Sequence, residues 1–175
     1  MTEVWATRLA GVVPEDVEHH PDLTHLSPAA DVLQAYWRTV GTWSPADWVL
    51  QLVVLRDGEP IGLQALEGKD FAVRREVDTH SWLVPPARGQ GHGKAMRCAV
   101  LSLAFDHLGA TAAATEAVTD NVASLGVSRA LGYVDSGTEK HADGRVMQHL
   151  RLDAWTAPEP VEVEGLTECL PLLGL

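Results

Sequence analysis

The sequence is short of cysteine, of basic residues and of long apolar runs, and each shortage removes a class of protein. Its 175 residues include two cysteines, Cys98 and Cys169. They lie far apart and outside any CxxC spacing, so neither a disulfide framework nor a structural zinc site is expected. Lys and Arg total 13 against 24 Asp and Glu, a formal charge of -11. A surface that holds DNA or RNA phosphates, or anionic lipid, needs a basic face, and this balance argues against both. It leaves room for one small basic pocket around an anionic ligand. No uncharged apolar stretch is long enough to span a bilayer. Residues 1–11 lack the basic start and apolar run of a signal peptide, so the expected location is the cytoplasm. Internal repeats, low-complexity tracts and Ser/Gly linkers are missing too.

What remains is the composition of a folded domain: 46% of the residues are apolar and 21% charged, and the length suffices to bury one core unaided. The segment up to Trp48 is rich in Pro, His and Trp. It reads as an initial strand at Trp5–Gly11 and a helix near Asp31–Thr39, with Pro28 just ahead of it. Trp37, Trp43 and Trp48 read as core residues before cleft residues, and His19-His20 is not at metal-ligand spacing. From Val49 the signals are cleaner. Leu50–Arg56 and Ile61–Glu67 flank the turn dipeptide Asp57-Gly58, a hairpin. Asp78–Val84 is a strand stopped by Pro85-Pro86. A glycine-rich loop and a helix to about Leu108 follow, with Gly109 as its stop. Then come a strand over Ala110–Val118, a helix capped by Asp120 or Asn121 and closed at Leu131-Gly132-Tyr133, and strands Tyr133–Gly137 and Val146–Leu152 around Asp143-Gly144. This order predicts a layered α/β domain. In the tail, residues 154–175, Glu159, Glu162 and Glu164 read as a solvated face. Leu166, Leu170, Leu172 and Leu173 need a surface, either their own domain or a second subunit.

The loop runs Arg88-Gly89-Gln90-Gly91-His92-Gly93-Lys94. Counted from Gly89, the sixth position of a dinucleotide fingerprint is Lys94 rather than glycine. A P-loop fails as well, since Arg88 and Ala95 stand where it needs Gly and Ser or Thr. Arg-x-x-Gly-x-Gly between a strand and a helix is left. Glycines let backbone N–H groups point at a phosphate, and the helix N-terminus adds positive potential. Arg88 and Lys94 add charge. By itself the loop reads equally well as a plain glycine turn.

Ser81-Trp82-Leu83, the loop Arg88 to Gly93 and the block from Asn121-Val122-Ala123-Ser124 through Leu131-Gly132-Tyr133 resemble, in order and spacing, the GNAT superfamily of acyl-CoA-dependent N-acyltransferases. The likeness is to its RimJ/RimL-like branch, and it runs from about Val49 to Leu152. It implies an α/β fold, a three-layer α/β/α domain over residues 1–153 with a mixed, mostly antiparallel, splayed sheet of about six to seven strands. Acceptor-side helices would lie within about 12–48 and an acyl-CoA-binding core over about 49–152. The implied co-substrate is acetyl-CoA or another short acyl-CoA such as succinyl-CoA, with no metal. Its pyrophosphate would sit on the backbone of Arg88, Gly89, Gln90, Gly91, His92, Gly93 and Lys94. Leu83 and Val84 would run along the pantetheine, with Asn121 and Ser124 close to the cofactor and Asn121 doubling as a helix cap. The resemblance also implies an amine acceptor (a protein N-terminus, a lysine or a small amine) and a homodimer or higher homo-oligomer.

Acyl transfer to an amine needs a neutral amine, a polarised thioester oxygen and a proton for the departing thiolate. No covalent enzyme intermediate is required, so the lack of a Gly-x-Ser-x-Gly elbow is no obstacle. A backbone N–H near Leu83 would supply the oxyanion contact. The position where many family members carry a proton-donating tyrosine is occupied here by Ser128. For the base, the resemblance points to Asp78, which falls where the RimL-like branch often carries an acidic residue, and Glu76 and His80 flank it with matching strand parity. Cys98 reads as a small core residue rather than a nucleophile.

Overall fold

A computed structural model describes residues 3–14 and 27–175; His19 and His20 lie outside them. Six strands, β1 (Asp47–Arg56), β2 (Glu59–Lys69), β3 (Glu76–Leu83), β4 (Ala112–Val118), β5 (Val134–Lys140) and β6 (Val146–Leu152), form one sheet in the order β1-β2-β3-β4-β6-β5. The β3–β4 pair is parallel and the other four pairs are antiparallel. The helices are α1 (Glu3–Ala10), α2 (Pro28–Thr42), the single turn α3 (Phe71–Arg74), α4 (His92–Ser102), α5 (Val122–Ala130) and the tail turn α6 (Leu166–Cys169). The result is the mixed, mostly antiparallel α/β sheet that the family resemblance implies.

Side chains alternate along a strand, so the register separates two faces. One carries Trp48, Leu66, Val77, Thr79, Ser81, Ala113, Thr115 and Leu150. There the core closes against Val100, Leu101 and Ala104 of the α4 segment and Leu125 of α5. Gly68 stands opposite Trp48 on the neighbouring strand. A Cβ at Gly68 would lie 2.3 Å from the Trp48 ring, so glycine is what lets the indole cross β2 and meet Phe71 edge-on at 5.5 Å. The second face carries Gln51, Glu67, Glu76, Asp78, His80, Glu116, His149 and Arg151. The N-terminal helices cover its β1 end, where Gln51 Nε2 donates to Thr39 Oγ1 of α2 at 3.1 Å. Beyond that end this face is polar and open.

The expected strand at Trp5–Gly11 is instead helix α1. Ala6, Leu9 and Ala10 are buried while Val4 is 69% exposed, a spacing that only a helical turn brings to one side. The second helix is longer than Asp31–Thr39: Ser27 Oγ accepts the Ala30 N–H at 3.2 Å and Pro28 takes the first turn, where its missing N–H costs nothing. Asn121, not Asp120, caps α5, its Oδ1 accepting the Ser124 N–H at 3.1 Å. Gly132, at φ +94, turns the chain so that the Tyr133 N–H reaches back to the Ser128 carbonyl. After α4 the chain continues as a wider π turn over Leu103–His107, in which the Leu108 N–H donates to the Leu103 carbonyl.

Of the tryptophans, Trp48 is core, Trp37 is 55% exposed on α2, and Trp43 holds the tail by donating to the Leu172 carbonyl at 3.0 Å. Leu173 is 1% exposed within the main core. Burying such a side chain stabilises by about 2 kcal/mol. Trp155 Nε1 donates to Ser102 Oγ at 3.2 Å, a second tie between tail and domain.

The β3–β4 ladder is short. Glu76, Val77 and Asp78 pair with Ala112, Ala113 and Ala114, and there the strands part. Two buried threonines pin the parting point: Thr79 Oγ1 donates to the Ala114 carbonyl at 3.2 Å and Thr115 Oγ1 to the Thr79 carbonyl at 2.8 Å. Past this fork, residues 79–83 of β3 have no β4 partner.

Candidate active site

The glycine loop lies at the open end of the fork, where β3 runs through Pro85–Ala87 into α4. Gly89 and Gly91 adopt φ +70 and +86, with open space where a Cβ would project. Backbone conformation rather than crowding therefore demands glycine at both. Gly91 is the residue ahead of α4, and the first helical bond runs from the Ala95 N–H to the Gly91 carbonyl. The N–H groups of His92, Gly93 and Lys94 thus precede the helical ladder, at the positive end of the helix. Gly93 lies against Val127 of α5 and Leu83 of β3, so strand end, loop and second helix converge there. Arg88 turns back to donate Nε to the Leu83 carbonyl at 2.9 Å, which fastens the loop to the strand. Val84 continues the β2 pairing through its N–H to Ile61. Arg56 at the end of β1 was not foreseen. Its guanidinium donates to Gln90 Oε1 at 3.0 Å and lies 3.5 Å from His92 Nε2. These groups bring together cationic side chains and backbone donors of the kind that hold phosphate, and they fit the coenzyme A that the family resemblance implies.

On the other face, the fork borders an open cleft of about 460 Å³ lined by Glu76, Asp78, His80, Glu116, His149 and Arg151 among others. The three base candidates therefore share one compartment. Glu76 is held by Arg151 at 2.9 Å and Arg74 at 3.7 Å. His80 Nε2 stands 3.6 Å from Glu67. Asp78 is raised above the ordinary carboxylate value by desolvation in the cleft; His80 opposes the rise, and the Glu76 and Glu116 charges add to it against Arg74. A carboxylate shifted this way holds a proton more firmly and is the stronger base. His149, which sequence reasoning missed, sits 3.3 Å from Glu116 and 3.5 Å from Glu139. The signal was present only as parity: His149 lies opposite Glu116 in the β4–β6 register.

Ser128 is 2% exposed on α5, four residues on from Ser124 and so on its helix face. Helix α5 packs on the first face, so Ser128 and Asp78 stand on opposite sides of the sheet. Asn121 and Ser124 are joined to each other at the start of α5 through the capping bond. Cys98 is half-buried against the core, and its burial pushes the thiol pKa up, the direction that disfavours a thiolate. Among the described residues, no cluster of His, Cys, Asp or Glu is arranged to hold a metal ion, and no helix is long and apolar enough to cross a membrane.

A family model for the acetyltransferase (GNAT) domain matches residues 8–134. The chain belongs to the GNAT acetyltransferase family. The match begins well ahead of Val49, although the motifs that carry the likeness lie after it, and it ends at residue 134, short of Leu152 and ahead of nearly all of β5, of β6 and of the tail. The GNAT chain is similar in fold to RimJ from Mycobacterium smegmatis, solved in complex with CoA-disulfide. That pair has a TM-score of 0.70 at 16% identity over 88% of this chain and 79% of that one. It is also similar to a chimera of the spermidine N-acetyltransferase SpeG from Vibrio cholerae with hSSAT, at a TM-score of 0.67 and 13% identity over 87% of this chain and 91% of that one. As a GNAT domain it is built for acyl transfer from an acyl-CoA.

Proposed function

We propose that the protein transfers an acetyl or other short acyl group from acyl-CoA to a primary amine, with the two substrates meeting through the β3–β4 fork. The observation that carries this reading is that the fork joins two unlike compartments. One is a backbone-made cationic loop on the α4–α5 face, and the other is a side-chain-made acidic cleft on the opposite face. The loop and the strand end at Leu83 and Val84 would hold the coenzyme, with Asn121 and Ser124 beside it. The acidic cleft suits an acceptor that arrives as an ammonium ion. A spermidine acetyltransferase among the structural neighbours supports a small cationic amine.

In the step itself Asp78 takes a proton from the acceptor ammonium, with His80 and Glu76 beside it. The freed nitrogen lone pair then forms the N–C bond at the thioester carbon. A backbone N–H near Leu83 steadies the oxygen as it becomes negative. Collapse breaks the C–S bond, and the second proton of the attacking nitrogen passes to the departing thiolate, oriented by Ser128, whose aliphatic hydroxyl is a weaker acid than a phenol; Asp78 returns its proton to water. The products are an amide and free coenzyme A, and no atom of the protein is covalently altered.

Free-thiol release from acetyl-CoA across a panel of polyamines, lysine peptides and N-terminal peptides tests the proposal. Amine-dependent thiol release supports it. Tight acyl-CoA binding with no turnover on any amine would instead make the chain a silent acyl-CoA-binding module.

A further inference from the structure

Arg97 on α4 is 4% exposed, yet its guanidinium makes one hydrogen bond, from Nη2 to Ser81 Oγ at 3.2 Å. Among the described residues, neither the buried Nε nor the buried Nη1 has a partner, and no carboxylate pairs with the guanidinium. A buried lysine would relieve such a position by losing its proton, but arginine keeps its charge at any working pH. An uncompensated buried cation weakens a fold unless something supplies the opposite charge. The surroundings offset the charge only in part, through the Tyr133 ring, and add orphan polarity of their own. The Tyr133 hydroxyl is buried with no partner, its ring centroid 6.0 Å from the guanidinium carbon, and Gln64 Oε1, opposite Ser81 in the β2–β3 register, is likewise unsatisfied.

The position of this cluster points to what completes it. Ser81 is exposed and lies past Asp78, the last β3 residue paired with β4, so it sits inside the fork on the α4 face. It is two residues, or about 7 Å, deeper along β3 than Leu83. Resting on the proposed function, a pantetheine arm running along Leu83 and Val84 would deliver its acyl group toward Ser81 and Arg97. We infer that Arg97, aided by the Tyr133 hydroxyl, reads a terminal carboxylate on the acyl chain, so that the preferred donor is a dicarboxylic acyl-CoA of succinyl size. The carboxylate accepts from one edge of the planar guanidinium, Nε or Nη1 together with the second hydrogen of Nη2, the two-point pairing that arginine geometry favours. Acetyl-CoA leaves the cation unpaired, and an uncharged chain of the same length leaves it unpaired and excludes water besides.

The test compares free CoA, acetyl-CoA, butyryl-CoA and succinyl-CoA on the intact protein. Succinyl-CoA is expected to raise the melting temperature most and to give kcat/KM about tenfold or more above butyryl-CoA, its uncharged counterpart of equal chain length. Arg97→Met is expected to erase that preference while leaving the affinity for free CoA unchanged, and Arg97→Lys to restore part of it. If Arg97→Met does not fold, the ligand series on the unmodified protein decides. Equal stabilisation and turnover with butyryl-CoA and succinyl-CoA overturns the carboxylate reading and leaves acyl transfer standing. A loss in Arg97→Met equal for acetyl and succinyl donors also overturns it, since Arg97 would then serve the thioester common to both. Failure of every CoA species to stabilise the protein removes the proposed function, and this inference with it.

Discussion

The two faces of the sheet meet at the same fork but are built from different materials. On the α4–α5 face the candidate coenzyme site is mostly backbone: two left-handed glycines, the N–H groups that precede the α4 ladder, and a strand edge without a partner. On the other face the cleft is made of side chains from four strands, Glu76, Asp78 and His80 on β3, Glu116 on β4, Ser136 on β5 and His149 and Arg151 on β6. A backbone site tolerates change in the side chains that decorate it and fails when its dihedrals change. A side-chain site does the reverse. The contrast teaches which substitutions belong to which substrate.

The sharpest way to break the contrast is at Asp78. Asp78→Asn is expected to lower turnover by about a hundredfold or more, the usual scale for a lost general base. The affinity for acyl-CoA should hold, as steady-state rates and a direct titration will check. A retained rate with an unchanged pH profile would assign the base to His80 or to another group. Next in size, Gly91→Val puts a β-branched residue at φ +86, which a non-glycine residue resists by about 1–2 kcal/mol. About a tenfold weaker acyl-CoA affinity is expected, with the chemical step of the bound complex little changed, as single-turnover measurement can separate. Ser128→Ala should reduce turnover by about tenfold or less at unaltered acyl-CoA affinity, and an unaltered turnover removes Ser128 from the step.

The smallest effect is on stability. Because desolvation raises the folded Asp78 carboxyl above its ordinary value of 3.8, the group favours the fold when protonated and opposes it when ionised. That support is whole below the unfolded value and is lost as pH rises through the folded one. Asp78→Asn should therefore be more stable than the unmodified protein at neutral pH. The gain should shrink to nothing on acidification toward about pH 4 in a denaturant titration series.

The same contrast explains what the sequence disclosed. Short-range chemistry is legible in sequence: Asp57-Gly58 and Asp143-Gly144 mark turns, Gly132-Tyr133 marks a helix end, and the spacing of Gly89, Gly91 and Gly93 marks a loop at a helix mouth, because each effect acts within a few residues. Element order gave a layered α/β domain, and the splayed sheet came from the resemblance to the GNAT superfamily. Trp5–Gly11 reads as a strand because Trp5 and Thr7 suit one locally, whereas burial of Ala6, Leu9 and Ala10 in helix α1 comes from packing that no local pattern states. Arg56 and Gln90 are 34 residues apart in the chain, and His149 meets Glu116 only through the β4–β6 register. Arg97 looks like a polar-face residue of an amphipathic helix. Its burial without a counter-charge exists only once α4 lies across Ser81.

The most direct test of a two-faced site is the acyl-CoA dissociation constant of Asp78→Asn and Gly91→Val, each measured beside its turnover. The account predicts that Asp78→Asn loses turnover with an unchanged dissociation constant and that Gly91→Val loses affinity first. Parallel loss of affinity and turnover in Asp78→Asn, or undiminished affinity in Gly91→Val, would contradict it.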